Sequence, residues 1–207
     1  MRVGLGSGTT AAYFVRALGA RVAAGLSVTG VASSDRTRRI ASEVGVPLGE
    51  LDAAVDLAAD GADAIELGTL NAIKGLGGAL VREKLIAEHA ARFVLIADIS
   101  KLMTELSVSR PAVPVPVEVL PFGWRLTQRA LASFGEPRLR VAHDAPFISD
   151  NGNLVLDLYE ADYTDVNSLA FALKAIHGVV GHGLFIGIAG EAIIAGRSGI
   201  QRLTPSA

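Results

Sequence analysis

The chain contains no cysteine. That absence excludes a disulfide framework, thiolate chemistry, and zinc or iron–sulfur centres held by cysteine, and it is compatible with a reducing compartment. Aromatic residues are scarce at 5%, and only 19% of residues are charged, for a net charge of -2. No basic surface for nucleic acid is expected, and any anionic ligand must be held by a local site. Long apolar runs are also missing. The stretch from Leu184 to Ala195 is broken by Gly187, Gly190 and Glu191, so no membrane span and no membrane partner are expected. Met1 to Gly8 moves straight into glycines without the basic and apolar regions of a secretory signal, so the expected location is cytoplasmic.

What is present is a chain of 207 residues, half of them hydrophobic, which suffices for one large domain or two modest ones with a real core. Its first two thirds alternate short apolar runs with helical patterns. Strands are expected at Arg2 to Leu5, Leu26 to Ala32, Ala54 to Ala59 and Phe93 to Ala97, with helices over Thr9 to Leu18, Asp35 to Val44 and Gly78 to His89. Such alternation predicts a Rossmann-like, doubly wound, mainly parallel sheet.

Around Ser109 the pattern changes to a proline-spaced segment. The order beyond it is strand (Val113 to Leu120), helix (Trp124 to Phe134), strand (Arg138 to Val141), strand (Leu154 to Tyr159), helix (Asp165 to Ile176) and strand (Val179 to Leu184). That order predicts a smaller ferredoxin-like α+β domain over 110–182, inserted before the chain returns to the first domain, 1–109 plus 183–207. Asp150-Asn151-Gly152-Asn153 reads as a hairpin turn.

Five segments carry candidate chemistry. Gly4-Leu5-Gly6-Ser7-Gly8-Thr9-Thr10 lies between a strand and a helix, where glycines admit an anion and free amides and hydroxyls bind phosphate oxygens; a plain glycine turn with a threonine cap reads equally well. It has neither the lysine of a Walker loop nor the spacing of a dinucleotide fingerprint. Ser33-Ser34-Asp35-Arg36-Thr37 is either a helix cap or, because strand ends in an open sheet share one crevice, a second wall of the same site. Asp60-Gly61-Ala62-Asp63 places two carboxylates at a strand end, as a polar site or as an Asx turn. Lys74-Gly75-Leu76-Gly77-Gly78 offers amides and a cation for a developing oxyanion ahead of a helix that carries Glu83, a residue that by itself reads as solvated. Asp98-Ile99-Ser100-Lys101 ends a strand with a further cation. The four histidines show no ligand spacing.

In order and spacing these segments, with Arg82-Glu83-Lys84, Pro116-Val117-Glu118-Val119-Leu120-Pro121-Phe122-Gly123-Trp124 and Ser149-Asp150-Asn151-Gly152-Asn153, resemble the A-type ribose-5-phosphate isomerases across nearly the whole chain. The resemblance implies an aldose–ketose isomerase of the pentose phosphate pathway that works without metal or organic cofactor and forms homodimers or homotetramers. It implies a phosphate site at Ser7, Gly8, Thr9 and Thr10, and sugar contacts at Asp60, Gly61, Ala62 and Asp63. The loop Lys74, Gly75, Leu76 and Gly77 would cover the reacting end, Glu83 would accept the proton, and Lys101 would bind substrate.

Three departures accompany the resemblance. The family's helix ahead of the first glycine loop is not seen before Val3, Leu76 stands where glycine is usual, and Ala64 replaces a glutamate. Two other readings are a non-catalytic sugar-phosphate sensor, which would carry a DNA-binding module for which no room is seen before Val3, and an amino-sugar phosphate deaminase.

Overall fold

A computed structural model describes residues 1–106 and 113–206. In chain order, the first part comprises β1 (Arg2–Leu5), α1 (Gly8–Ala23), β2 (Thr29–Ala32), α2 (Asp35–Glu43), β3 (Leu57–Asp60), β4 (Ala64–Glu66), β5 (Ala72–Ile73), α3 (Leu80–Glu88), β6 (Phe93–Asp98) and β7 (Leu102–Met103). Then follow β8 (Val115–Val119), α4 (Trp124–Leu131), β9 (Glu136–Leu139), β10 (Val141–Ala142), β11 (Ala145–Pro146), β12 (Leu154–Tyr159), α5 (Val166–Ala175) and β13 (Val179–His182). The chain ends with β14 (Leu184–Phe185), β15 (Glu191–Gly196) and β16 (Gly199–Leu203).

The main sheet has the order β16-β15-β6-β3-β1-β2, parallel except for the antiparallel edge strand β16. Helices cover both faces for a reason visible in β1. Its side chains alternate, so Val3 and Leu5 enter the cluster formed with Val15 and Leu18 of α1 and Ala41 of α2. Gly4 points the other way, and a Cβ there would lie 2.4 Å from Ile86 of α3. The missing side chain is what lets α3 pack against the sheet. This is the doubly wound architecture expected from the alternating pattern.

A second sheet, β13-β8-β12-β9, is antiparallel throughout and follows the strand–helix–strand–strand–helix–strand order of a ferredoxin-like unit. Its core joins Val115, Val117 and Val119 to Leu154, Leu156 and Leu158, with Leu131 of α4 and Leu169 and Leu173 of α5. The expected boundary between residues 109 and 110 lies outside the described residues. The expected turn at Asp150 is tight, closed by Gly152 N–H to Ser149 O, but it joins β12 to a single bridge at Ile148 rather than to a long strand.

A third, small sheet, β14-β5-β4-β7, was not anticipated. Its strands have two or three residues, too short for any periodicity to register. It matters because Lys74 follows β5 directly, and the Lys74 N–H donates to Gly183 O just ahead of β14 at 2.8 Å. A lysine at the head of a glycine-rich loop thereby acquires a fixed backbone.

Candidate active site

The carboxyl ends of β1, β2, β3 and β6 open on one side of the main sheet. The connections from β1 and from β3 leave in opposite directions, so a crevice forms between these neighbours, where open α/β sheets place ligands. A cleft of about 330 Å³ lies there, bounded by the β1–α1 loop, the turn after β3, the loop after β5, α3 and the turn after β6.

The first wall is the glycine loop. A Cβ on Gly6 would fall 2.1 Å from Asp60 Oδ1, so only glycine lets that carboxylate lie against the loop. Asp60 Oδ1 accepts from the amides of Ser7 at 2.9 Å and Gly61 at 2.7 Å. Ser7 occupies the N-cap of α1 without capping it; its hydroxyl instead shares a 2.7 Å hydrogen bond with Ser33. Gly8 has φ +86°, and α1 has no acidic residue in its first turn. The exposed Gly8, Thr9 and Thr10 therefore present uncapped amides and hydroxyls to the cleft.

Ser34 is placed elsewhere. It caps α2, accepting from Thr37 N–H at 3.0 Å and donating to Thr37 Oγ1 at 2.9 Å, while Thr37 Oγ1 donates to Gly6 O at 2.9 Å. Ser34 is buried and absent from the cleft lining. Its helix-cap reading is the one the geometry favours, and it ties α2 to the glycine loop.

The deep wall is a buried ion cluster. Lys74 Nζ stands 2.9 Å from Asp60 Oδ2 and 3.2 Å from Glu83 Oε2, and it also donates to Gly61 O. Lys74, Asp60 and Glu83 are 2%, 3% and 5% exposed. Burial pushes the Glu83 carboxyl up, the nearby Asp60 charge adds to the rise, and Lys74 opposes it, leaving Glu83 at about 7 instead of 4.5. Burial likewise raises Asp60 against the pull of Lys74. For Lys74, burial works against the charge, but the two carboxylates outweigh it and hold the ammonium protonated. Glu83 Oε2 is buried and, among the described residues, accepts no hydrogen bond, the Lys74 contact being an ion pair.

Over this cluster runs the loop after β5. Gly75 and Gly78 adopt φ +102° and +83°; a Cβ on the first would strike Leu80 and on the second Phe147. Leu76 lies outside the left-handed region and its side chain points to solvent, so a leucine is accommodated where the resemblance leads one to expect glycine. Its N–H donates to Asp63 Oδ2 at 3.0 Å. Asp63, Gly61, Ala62, Gly75, Gly77 and Lys101 also line the cleft.

The loop is held from outside by a residue that sequence reasoning passed over. Arg140 Nη1 donates to Gly75 O at 3.1 Å and Leu76 O at 2.9 Å, while its fork grips Asp157. Arg36 was also unassigned, yet it lines the cleft. Its position two residues after Ser34, at the start of a helix, was the signal available. Arg140 offered no such signal, since it meets the loop across 65 residues.

Comparison with known proteins fits this geometry to a family. The model described as ribose 5-phosphate isomerase A (phosphoriboisomerase A) matches residues 29–199. The chain belongs to that family. It is 49% identical to the ribose-5-phosphate isomerase A of Roseiflexus castenholzii, over 98% of this chain and 88% of the relative. The structure of ribose 5-phosphate isomerase A from Methanocaldococcus jannaschii superposes with a TM-score of 0.93 at 37% identity, covering 99% of this chain and 91% of the other. A D-ribose-5-phosphate isomerase solved in complex with phospho-erythronic acid gives a TM-score of 0.90, also at 37% identity, covering 99% and 90%.

Proposed function

We propose that this chain interconverts D-ribose 5-phosphate and D-ribulose 5-phosphate through an enediolate, with Glu83 as the general base. The observation that carries the reading is the buried Asp60–Lys74–Glu83 cluster at one wall of a cleft whose other wall is the open amino end of α1. A solved relative that holds phospho-erythronic acid, a phosphorylated sugar acid, supports the same use of the cleft.

With the phosphate at Ser7, Gly8, Thr9 and Thr10, the sugar extends past Gly61, Ala62 and Asp63 towards Glu83, and Lys101 adds a substrate contact. A base near pH 7 can both take and return a proton at neutral pH. Glu83 removes the proton from carbon 2 of the open aldose and delivers it to carbon 1, which is adjacent and within reach of the same carboxylate. Negative charge on the enediolate oxygens meets Lys74 and the amides of Gly75 and Gly77, while Asp60 or Asp63 relays the hydroxyl proton from oxygen 2 to oxygen 1. Fixing the phosphate away from the reacting carbons supplies orientation.

We read residues 1–109 with 183–207 as the unit bearing this chemistry and 110–182 as the smaller unit that braces it. The family resemblance supports a cytoplasmic homodimer or homotetramer, and no described helix is long and apolar enough to cross a membrane. Incubation with ribose 5-phosphate in deuterated water should yield ribulose 5-phosphate and exchange solvent deuterium into the sugar. Binding without turnover or exchange would favour a sensor, and ammonia release from an amino-sugar phosphate would favour a deaminase.

A further inference from the structure

Among the described residues, three cations line the cleft: Arg36, Lys74 and Lys101. Lys74 is committed to two carboxylates and almost wholly buried, so its charge is neutralised within the protein. A phosphate monoester carries a charge of about -1.5 to -2 at neutral pH. The amides and hydroxyls from Ser7 to Thr10 that face it are neutral donors. Among the described residues, the side chains left to supply its compensating charge are therefore Arg36 and Lys101.

Arg36 stands apart from the other arginines of α2. Arg38 pairs with Glu50 at 3.4 Å, and Arg39 donates to Asp35 O at 3.4 Å. Arg36 has no ion pair or hydrogen-bond partner for its guanidinium among the described residues. The adjacent carboxylate that could have neutralised it, Asp35, is drawn to Arg82 at 3.0 Å. The backbone beneath Arg36 is nonetheless fixed. Ser34 caps the helix, Thr37 bonds the glycine loop, and Asp35 N–H donates to Asp150 Oδ2 at 2.8 Å. An unpaired guanidinium on a rigid helix start, beside the uncapped end of α1, has the charge and planar fork suited to two phosphate oxygens.

We propose that Arg36 closes over the substrate phosphate from the α2 side and sets the preference for phosphorylated over unphosphorylated pentose. The inference rests on the isomerase reading above. In the full chain, Arg36→Ala should raise the KM for ribose 5-phosphate about tenfold to a hundredfold with kcat held within about twofold, because the clamp lies far from the reacting carbons. Arg36→Lys should recover part of the loss. Inhibition by inorganic phosphate should weaken in parallel, turnover of free ribose should not change, and thermal unfolding should match the wild type.

An unchanged KM and unchanged phosphate inhibition in Arg36→Ala would overturn the assignment, as would a fall in kcat alone or an equal loss on free ribose. A wild-type chain that fails to isomerise ribose 5-phosphate would instead overturn the isomerase reading. Direct titration of both proteins with inorganic phosphate would still decide whether Arg36 holds the anion.

Discussion

Replacing Glu83 by Gln should abolish most activity and at the same time make the protein more stable at high pH. The carboxyl sits at about 7 in the folded chain against 4.5 for the free group. At ~1.4 kcal/mol for each tenfold change in proton affinity, keeping it ionised costs about 3 kcal/mol, net of the help from Lys74. Because the folded state holds this proton up to about 7 while the unfolded chain releases it near 4.5, the folded form binds more protons across that window. Stability from this group is therefore full below pH 4.5 and lost as pH rises through 7, the reverse of a salt-bridged surface carboxylate. Glutamine keeps the shape without the charge, so the variant should match the wild type near pH 4.5 and exceed it by about 3 kcal/mol above pH 7.5. For a chain of this size that is a rise in Tm of about 6–12 °C. Thermal or urea unfolding of both proteins at pH 5, 6, 7 and 8, at one protein concentration, measures the trend. A Gln variant no more stable than wild type at pH 8, or a gap that does not widen with pH, would refute the strained-base account. Turnover should fall by about a hundredfold to ten-thousandfold while sugar-phosphate binding is largely kept.

Lys74→Met leaves Asp60 and Glu83 buried without their cation; unfolding should come easier by about 3–5 kcal/mol at neutral pH, with turnover lost, as denaturant titration and a ribulose assay would record. Gly6→Ala drives a methyl to 2.1 Å from Asp60 Oδ1 and must break the carboxylate from the Ser7 and Gly61 amides, costing about 1–3 kcal/mol, whereas Gly77→Ala meets nothing within 4 Å and should leave stability within about 0.5 kcal/mol. Arg140→Ala frees the carbonyls of Gly75 and Leu76 and strands a nearly buried Asp157. It should lower kcat more than it raises KM, and Arg140→Lys should rescue poorly because it cannot grip Asp157 with two nitrogens.

The parts of the site legible in the sequence were those written locally. Glycines before a helix, hydroxyls at a strand end and a spaced pair of aspartates each carry their chemistry within a few residues. Ser7 to Thr10, Gly61 to Asp63, Lys74, Glu83 and Lys101 line one cleft. What escaped was written at long range. The sheet that fixes Lys74 is built from strands too short to show a period, and Arg140 reaches the glycine loop only because β9 and β12 carry Asp157 beside it. Ser34 shows the opposite failure: its residue type suits a cap and a ligand contact alike, and only the Thr37 bonds separate the two.

Glu83 was nevertheless marked in a way that spacing could have shown. The buried face of α3 is Leu80, Glu83, Ile86 and Ala87, so the glutamate occupies a core position in an otherwise apolar stripe. Successive helical residues point about 100° apart, which sends its neighbours to either side. Arg82 reaches Asp35, the carbonyl of Asp150 and the Asn151 side chain. Lys84, which burial lowers to about 8, donates to the carbonyls of His182 and Leu184 at 2.7 Å and lies 4.9 Å above the Phe185 ring. A helix gripped on both flanks is not free to turn about its axis. The residue between the grips is held facing the cleft, although turning it to water would relieve about 3 kcal/mol of burial cost. The Arg82-Glu83-Lys84 triplet thus reads as one device, in which two anchored cations keep a carboxylate in an environment where it titrates near neutrality and can serve as both base and acid.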